Sequence, residues 1–292
     1  MFLRESADYH DATAAALEAR GHRIVILAGL SPVPGAPEER ISSSMRSLAV
    51  VVPTYNEVAN IATVLPRVAL AASRNPDFHV TVAVVDDNSP DGTADRARTL
   101  AQELGSDTFE VLVLSREKKE GLGAAYIWAF HHLLGAERRY DYLLQMDADL
   151  SHDPDYIDAF LREVRAGADF VVASRYIAGG GTPDWTLDRK LLSGGGNLYT
   201  RLFLGSRITD WTGGFNLFSA DLLRTLHIET IHAAGYGFQI VLKFRALRQA
   251  KGVKEIPIVF LDRTIGSSKI PGDTLLKNLL LVVAIRFGGK HR

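Results

Sequence analysis

Residues 80–93 read Val80-Thr81-Val82-Ala83-Val84-Val85-Asp86-Asp87-Asn88-Ser89-Pro90-Asp91-Gly92-Thr93. The first six are apolar or β-branched without alternation, which marks a strand buried on both faces and hence a parallel sheet covered by helices. Two adjacent carboxylates end that strand. They repel each other, which is costly without a cation or hydroxyl partners, so Asp86 and Asp87 read as ligand-facing. Asp91-Gly92 is turn chemistry, and Asp91 or Thr93 can cap the next helix; Asp91 therefore reads as structural.

Working outward, the same unit recurs. Strand-like runs at 48–52, 80–85, 111–114, 142–146 and 170–173 alternate with helical periodicity at 58–73, 93–104, 122–134 and 154–164. Asp153-Pro154 fits an N-cap and first-turn pair. The pattern predicts an α/β fold, with a mostly parallel central sheet and helices on both faces. Each acidic cluster follows a strand, and open α/β sheets bind ligands beyond the carboxyl ends of their strands.

The 292-residue chain is 47% hydrophobic and carries a net charge of −1, with a pI near 6.8. No global basic field draws it to nucleic acid, so phosphate recognition has to be local. There is no cysteine, which leaves only oxygen or imidazole ligands for a metal. Residues 1–45 read as an extension, with breakers in Ser31-Pro32-Val33-Pro34-Gly35-Ala36-Pro37 and a linker in Ser42-Ser43-Ser44. Met45, just before the first strand, reads as the native start. Phe2 and Leu3 are followed by Arg4, Glu5 and Asp8, which is no secretory signal. The longest apolar run, 279–285, falls far short of the roughly 18 residues of a membrane span.

Three clusters carry chemistry. Pro53-Thr54-Tyr55-Asn56-Glu57 offers a ring to stack a base and a carboxylate to accept from base or ribose, although Asn56 or Glu57 alone could simply start a helix. In Asp147-Ala148-Asp149, residues i and i+2 of an extended chain point the same way, so both carboxylates can converge on Mg²⁺ or Mn²⁺. Such an ion takes one or two carboxylates plus substrate phosphates, so two suffice. Arg175, Arg189, Arg263 and Lys269 could meet phosphate oxygens, though isolated cations are commonly just solvated. Gly121-Leu122-Gly123 fails as a dinucleotide fingerprint, because the third glycine position holds Tyr126.

The ordered set PTYNE (53–57), VDDNSPDGT (85–93), REKKEGLGAAY (116–126), MDADLSHDP (146–154), ASRY (173–176), DWTGGFNLF (210–218), GYGFQ (235–239) and DRTIGSSK (262–269) resembles dolichol- or polyprenol-phosphate mannose synthases. The resemblance implies a GT-A-fold inverting glycosyltransferase that uses GDP-mannose. It runs from about Met45 to Lys269, so residues 46–270 are assigned to the catalytic domain, while 271–292 read from their own pattern as an amphipathic C-terminal helix and tail. It carries the nucleotide site onto Pro53, Tyr55, Glu57, Val84 and Asp86. Metal and diphosphate contacts fall on Asp147, Ala148 and Asp149. Phosphate contacts fall on Arg175, Arg263 and Lys269, and an acceptor-phosphate contact on Arg189. Some relatives have Gln where this chain has Ser151, which removes one metal ligand from the pattern.

A lipid phosphate is already anionic at neutral pH and attacks without a general base. Neutral Gln239, near where many sugar-to-hydroxyl transferases place an acid, agrees with that. The acceptor implied is a polyprenyl phosphate, met peripherally at the cytoplasmic face of a membrane. Residues 274–287 could lie in the interface or dock on a separate membrane-anchoring subunit; a core-packed helix is the plain alternative. A UDP-glucose-dependent polyprenyl-phosphate glucosyltransferase shares the pattern, since these residues do not choose guanine over uracil. The intact acidic pair weighs against a non-catalytic nucleotide-sugar-binding subunit. The lack of a basic, glycine-rich loop after the first strand weighs against a nucleotidyltransferase.

Overall fold

The computed structural model describes residues 45–233, 235–261 and 272–288. Within them, strands β1 (Arg46–Thr54), β2 (Phe78–Asp86), β3 (Phe109–Ser115), β4 (Tyr142–Gln145), β5 (Phe170–Ser174), β6 (Asn216–Ser219) and β7 (Val253–Pro257) form one sheet in the order β3-β2-β1-β4-β6-β5-β7. Strands β3, β2, β1 and β4 are mutually parallel, as are β5 and β7. Only β6 runs antiparallel to its neighbours β4 and β5. The mostly parallel sheet expected from the sequence is present.

Alternate residues of β1 feed opposite cores, as a period of two requires. Leu48, Val50 and Val52 pack with Ile61, Val64, Leu100 and Phe160, from helices α1 (Val58–Ser73), α2 (Thr93–Leu104) and α4 (Ile157–Arg165). Ala49 and Val51 face Ala125, Phe130, Phe238 and Val241, from α3 (Leu122–Gly135) and α7 (Tyr236–Gln249). Each fully buried Val, Leu, Ile or Phe among them contributes roughly 1.5–3 kcal/mol. Helix α5 (Leu187–Leu204) and the C-terminal helix α8 (Gly272–Phe287) pack against each other, and Val282 and Ile285 of α8 join the second core. A short helix, α6 (Ala220–Arg224), follows β6.

The topology fixes where ligands can go. From β1 the chain steps to β2 and then β3 on one side, and β4 returns on the other side of β1. That reversal leaves a crevice outside the carboxyl ends of β1 and β4. The unbroken register from Arg46↔Phe78 to Thr54↔Asp86 ends β1 and β2 at the same level. Among the described residues, three of the four non-glycine residues with positive φ, Asn56 (60°), Asn88 (57°) and Leu150 (64°), sit past β1, β2 and β4. Strained backbone therefore collects at this edge, the pattern seen where a chain is held for function.

Candidate active site

Each acidic loop is held by its own hydrogen bonds before any ligand is considered. Asp86 accepts from Thr54 Oγ1 at 3.2 Å, from Ser89 N at 2.9 Å and from Ser89 Oγ at 2.6 Å. Asp87 differs from the expectation. Its carboxylate meets Arg116 NH1 at 2.7 Å, and that guanidinium is itself buried and also reaches Glu120 at 2.9 Å. Burial pushes the Asp87 carboxyl up while Arg116 opposes it. The cost of two adjacent carboxylates is thus met internally: hydroxyl and backbone donors hold one, an arginine the other. Asp91 is structural, as read; it accepts from Val58 N, Thr93 N and Thr93 Oγ1, joining the β2 loop to α1.

At the end of β1, Tyr55 is 38% exposed, and Lys119 Nζ lies 4.2 Å from its ring centroid. Pro53 pairs opposite Val85 within the strand. Glu57 precedes α1, and its Oε2 accepts from Asn60 Nδ2 at 2.6 Å. The Val84 side chain is buried in the core, two residues below Asp86.

Beyond β4, Leu150 in left-handed conformation turns the chain back on itself. Ser151 N and Oγ consequently both donate to Asp149 Oδ1, at 3.0 and 2.6 Å. Asp147 Oδ1 accepts from the Tyr126 hydroxyl at 3.3 Å, and Asp147 N donates to His152 Nδ1 at 2.9 Å. Burial, then the neighbouring Asp147, raises the Tyr126 phenol well above its ordinary value, so it stays a donor. Its ring stacks on Phe238 at 6.2 Å. Asp153 accepts from Asp155 N, the cap expected of it.

These donors suit a hard divalent cation. Asp147 and Asp149 stand at i and i+2 with oxygen ligands only, and hydrogen bonds from neighbours orient one oxygen of each. Among the described residues no group of three or more His, Asp or Glu gathers into a closed metal site, so the rest of a coordination shell would fall to phosphate and water.

The two described arginines of the sequence reading meet at one ring. Arg175 and Arg189 lie 5.3 and 4.0 Å from the Trp185 ring centroid. Arg175, at the end of β5, is gripped by Asp210: Nε and NH2 donate to its two carboxylate oxygens at 2.7 and 2.8 Å, and the backbone N donates at 3.2 Å. NH2 also reaches Thr212 Oγ1 at 2.9 Å. The fully buried Lys243 Nζ donates to the Asp210 carbonyl at 2.7 Å. Arg263 and Lys269 lie outside the described residues.

Sequence reasoning missed Tyr126, Asp210, Thr212 and Lys243. Asp210 and Thr212 stood in the quoted DWTGGFNLF, but nothing along the chain announces that Asp210 pairs with a residue 35 positions earlier.

Lys243 leaves a pH signature. Burial, opposed by Asp210 and reinforced by Arg175, lowers it from 10.5 to about 8. Below about 8 the lysine is charged in both folded and unfolded states. Between about 8 and 10.5 only the unfolded chain keeps the proton, so stability rises with pH across that window. Urea titrations should show the wild type gaining on Lys243→Met as the pH is raised through it, and a flat difference would exclude the assignment.

Gly180 closes the turn that carries Arg175. A Cβ there would meet Ser174 O at 2.6 Å and the Arg175 carbonyl carbon at 3.0 Å, both backbone. Gly180→Ala is expected to lose about 1–3 kcal/mol by overpacking. Its urea midpoint should fall and its activity with it.

An apolar cavity lies beside this group, between α5, α7 and α8. Arg189, Ser193, Thr212, Ile240, Leu279 and Val282 are among its lining. It follows α5 from Arg189 to Thr200, about 17 Å at 1.5 Å per residue. Thr212 joins it to Arg175, and the Tyr176 hydroxyl meets Ser193 Oγ at 2.6 Å.

A family model described as glycosyl transferase family 2 matches residues 49–226. The chain is 43% identical over 228 residues to an undecaprenyl-phosphate mannosyltransferase of Micrococcus luteus, spanning 78% of this chain and 88% of that one. It is 39% identical over 251 residues to a polyprenol monophosphomannose synthase of Mycolicibacterium smegmatis, spanning 85% and 90%. Among solved structures, glucosyl-3-phosphoglycerate synthase of Mycobacterium tuberculosis, in complex with phosphoglyceric acid, matches with a TM-score of 0.57 at 20% identity, over 83% of this chain and 80% of that one. The same enzyme with Mn²⁺, uridine diphosphate and glucosyl-3-phosphoglycerate matches at 0.54 and 21%, over the same shares. These likenesses show the fold.

Proposed function

The chain belongs to glycosyl transferase family 2, and from that premise we propose that it transfers mannose from GDP-mannose to a polyprenyl phosphate with inversion. One observation carries the acceptor: the arginine pair at Trp185 adjoins a cavity lined largely by apolar side chains. A cation beside an apolar channel fits an amphiphile with one anionic head. The two relatives, named for mannosyl transfer to undecaprenyl phosphate and for polyprenol monophosphomannose synthesis, support the same reading.

In this reading the nucleotide lies across the ends of β1 and β2, against Tyr55, Glu57 and Asp86, with Pro53 and Val84 shaping the floor. Asp147 and Asp149, with Ala148 between them, would hold Mg²⁺ or Mn²⁺, whose charge would offset that of the departing diphosphate. Arg189 and Arg175 receive the acceptor phosphate. Asp210 fixes the Arg175 guanidinium plane, so its direction is set before substrate arrives. A phosphate oxygen of the acceptor forms the new bond to the anomeric carbon. The bond from that carbon to the β-phosphate oxygen breaks, and GDP leaves with the electron pair. No proton has to be removed from the nucleophile, and the buried neutral Gln239, which accepts from Asn216 Nδ2 at 3.2 Å, agrees with that. Arg263 and Lys269 are proposed as further contacts to the leaving diphosphate.

The decisive assay offers radiolabelled GDP-mannose or UDP-glucose with polyprenyl phosphate and Mg²⁺ or Mn²⁺. A β-linked mannosyl lipid from GDP-mannose is expected. Preference for UDP-glucose would replace the donor, and label in neither lipid would overturn the acceptor.

A further inference from the structure

Three adjacent strands end level with one another. Thr54 pairs with Asp86 and Asp86 with Ser115, so Tyr55, Asp87 and Arg116 each stand one residue past the sheet edge. Backbone bonds tie these exits together: Asp87 N donates to Thr54 O at 3.0 Å, and Arg116 N to Asp86 O at 2.8 Å. The segment Arg116-Glu117-Lys118-Lys119-Glu120 therefore runs beside the end of β2, where the nucleotide is proposed to lie.

The Arg116 guanidinium is buried and spans two carboxylates. NH1 donates to Asp87 Oδ1 at 2.7 Å, and NH2 to Glu120 Oε2 at 2.9 Å. Glu120 is exposed, with Lys118 Nζ 3.2 Å from its other oxygen. A buried cation anchored on Asp87 thus sets the direction of a carboxylate at the surface before any ligand arrives. Lys119 turns to the tyrosine instead, its Nζ 4.2 Å from the centroid of the exposed Tyr55 ring. An aromatic face, an oriented carboxylate and an ammonium on a flexible stem meet at one slot.

Those groups fit one base better than the others. Stacking on Tyr55 uses the π-face that every base has, so selection has to come from the base edge. Among the common bases, guanine alone presents two adjacent donors, N1–H and N2–H, which one carboxylate can accept together. Uracil offers a single donor, N3–H, between two carbonyl oxygens that repel a carboxylate. Guanine also carries O6 and N7, acceptors that suit a lysine.

We infer that Glu120 reads the donor edge of guanine, with Lys119 passing from the Tyr55 face to O6 and N7 as the base stacks there. The inference rests on the GDP-mannose reading and deepens it: the choice of guanine over uracil falls to the loop after β3. A carboxylate accepts at about four positions, so ion pairs with Arg116 and Lys118 do not preclude accepting from a base.

Calorimetry on the full chain with Mn²⁺ tests this, using GDP, UDP and inosine diphosphate, which is GDP without its 2-amino group. Wild type should bind GDP about tenfold or more tighter than inosine diphosphate, the value of one hydrogen bond to a charged group. Its affinity for UDP should be lower than for GDP. Glu120→Gln should narrow the gap between GDP and inosine diphosphate, Glu120→Ala should close it, and UDP should bind both variants as well as wild type or better. Lys119→Met should weaken GDP and inosine diphosphate by one common factor, because both keep O6 and N7; unchanged affinity for the two would strike Lys119 from the site. Equal binding of GDP and inosine diphosphate by wild type would overturn the inference. So would Glu120 variants that weaken all three nucleotides alike, as a loop that had merely lost its shape would do. Wild type that prefers UDP would defeat the GDP-mannose reading and the guanine reader together. A preference for GDP that survives undiminished in both Glu120 variants would defeat the reader alone.

Discussion

Asp149→Ala should lower transfer by roughly a thousandfold or more while the protein still folds. A divalent cation at a departing diphosphate supplies several kcal/mol of transition-state stabilisation, and about 4 kcal/mol corresponds to that factor. Asp149 is the better placed of the pair to hold it. It is 6% exposed, and Ser151 N and Oγ fix one of its oxygens. The loss should fall on kcat and on Mn²⁺-dependent GDP binding measured by calorimetry. Stability should stay within about 1 kcal/mol, because the desolvation of a buried charge is relieved as two hydrogen bonds are lost. Ser151→Ala keeps the carboxylate and removes one of its restraints, so a much smaller loss, on the order of tenfold, is expected. Near-normal turnover in Asp149→Ala would rule out cation binding by this pair as the source of catalysis.

The elements lying along one stretch of chain were legible. Helices α1 and α2 occupy the spans their periodicity predicts; β1, β2 and β3 extend the predicted runs by one or two residues at either end, β5 gains one residue at its end, and β4 stops one residue short of its run. Local apolar pattern, caps and breakers were sufficient there. The acidic loops were legible because each follows its strand directly. What was hidden depends on distant pairing. Asp87 looked ligand-facing because its partner Arg116 stands 29 positions on. Gly123 is glycine because a Cβ would meet the Phe238 ring at 3.0 Å, which explains a Gly-x-Gly with no dinucleotide site behind it. Strand β6 is four residues long and runs antiparallel within an otherwise parallel pattern, so it has too little sequence to show a period. Helix α5 is not among the helices predicted from periodicity. Leu187, Leu191, Leu198 and Leu202 recur there at helical spacing, yet they are exposed, so a rule that turns leucine inward would misplace them.

Asp210→Ala should bring the largest loss of stability, about 3–5 kcal/mol, the range for breaking a buried ion pair by removing one partner. Asp210 is wholly buried and holds Arg175 through three hydrogen bonds, while Gly213 N adds another at 2.8 Å. Lys243 stands beside it on the Asp210 carbonyl. Burial alone would raise the Asp210 carboxyl, but Arg175 and Lys243 outweigh it and hold the group far below the usual carboxylate range. A carboxyl lowered in the folded state stabilises fully above its unfolded value near 3.8, and that contribution fades only as pH falls through the folded value. The deficit of the variant should therefore be constant from neutral pH down to about 4 and narrow only in stronger acid. Without the carboxylate, two cations share a buried site with no counter-charge, so part of the loss is repulsion between Arg175 and Lys243. Replacing the pair together, as Arg175→Met/Asp210→Leu, should consequently cost less than the two single changes added. That double variant should stay inactive even where it folds well, because the oriented guanidinium has gone. A deficit under about 1 kcal/mol for Asp210→Ala in urea denaturation would mean that solvent reaches the pair, and the pre-set direction of Arg175 would then have to come from Thr212 and Trp185 instead.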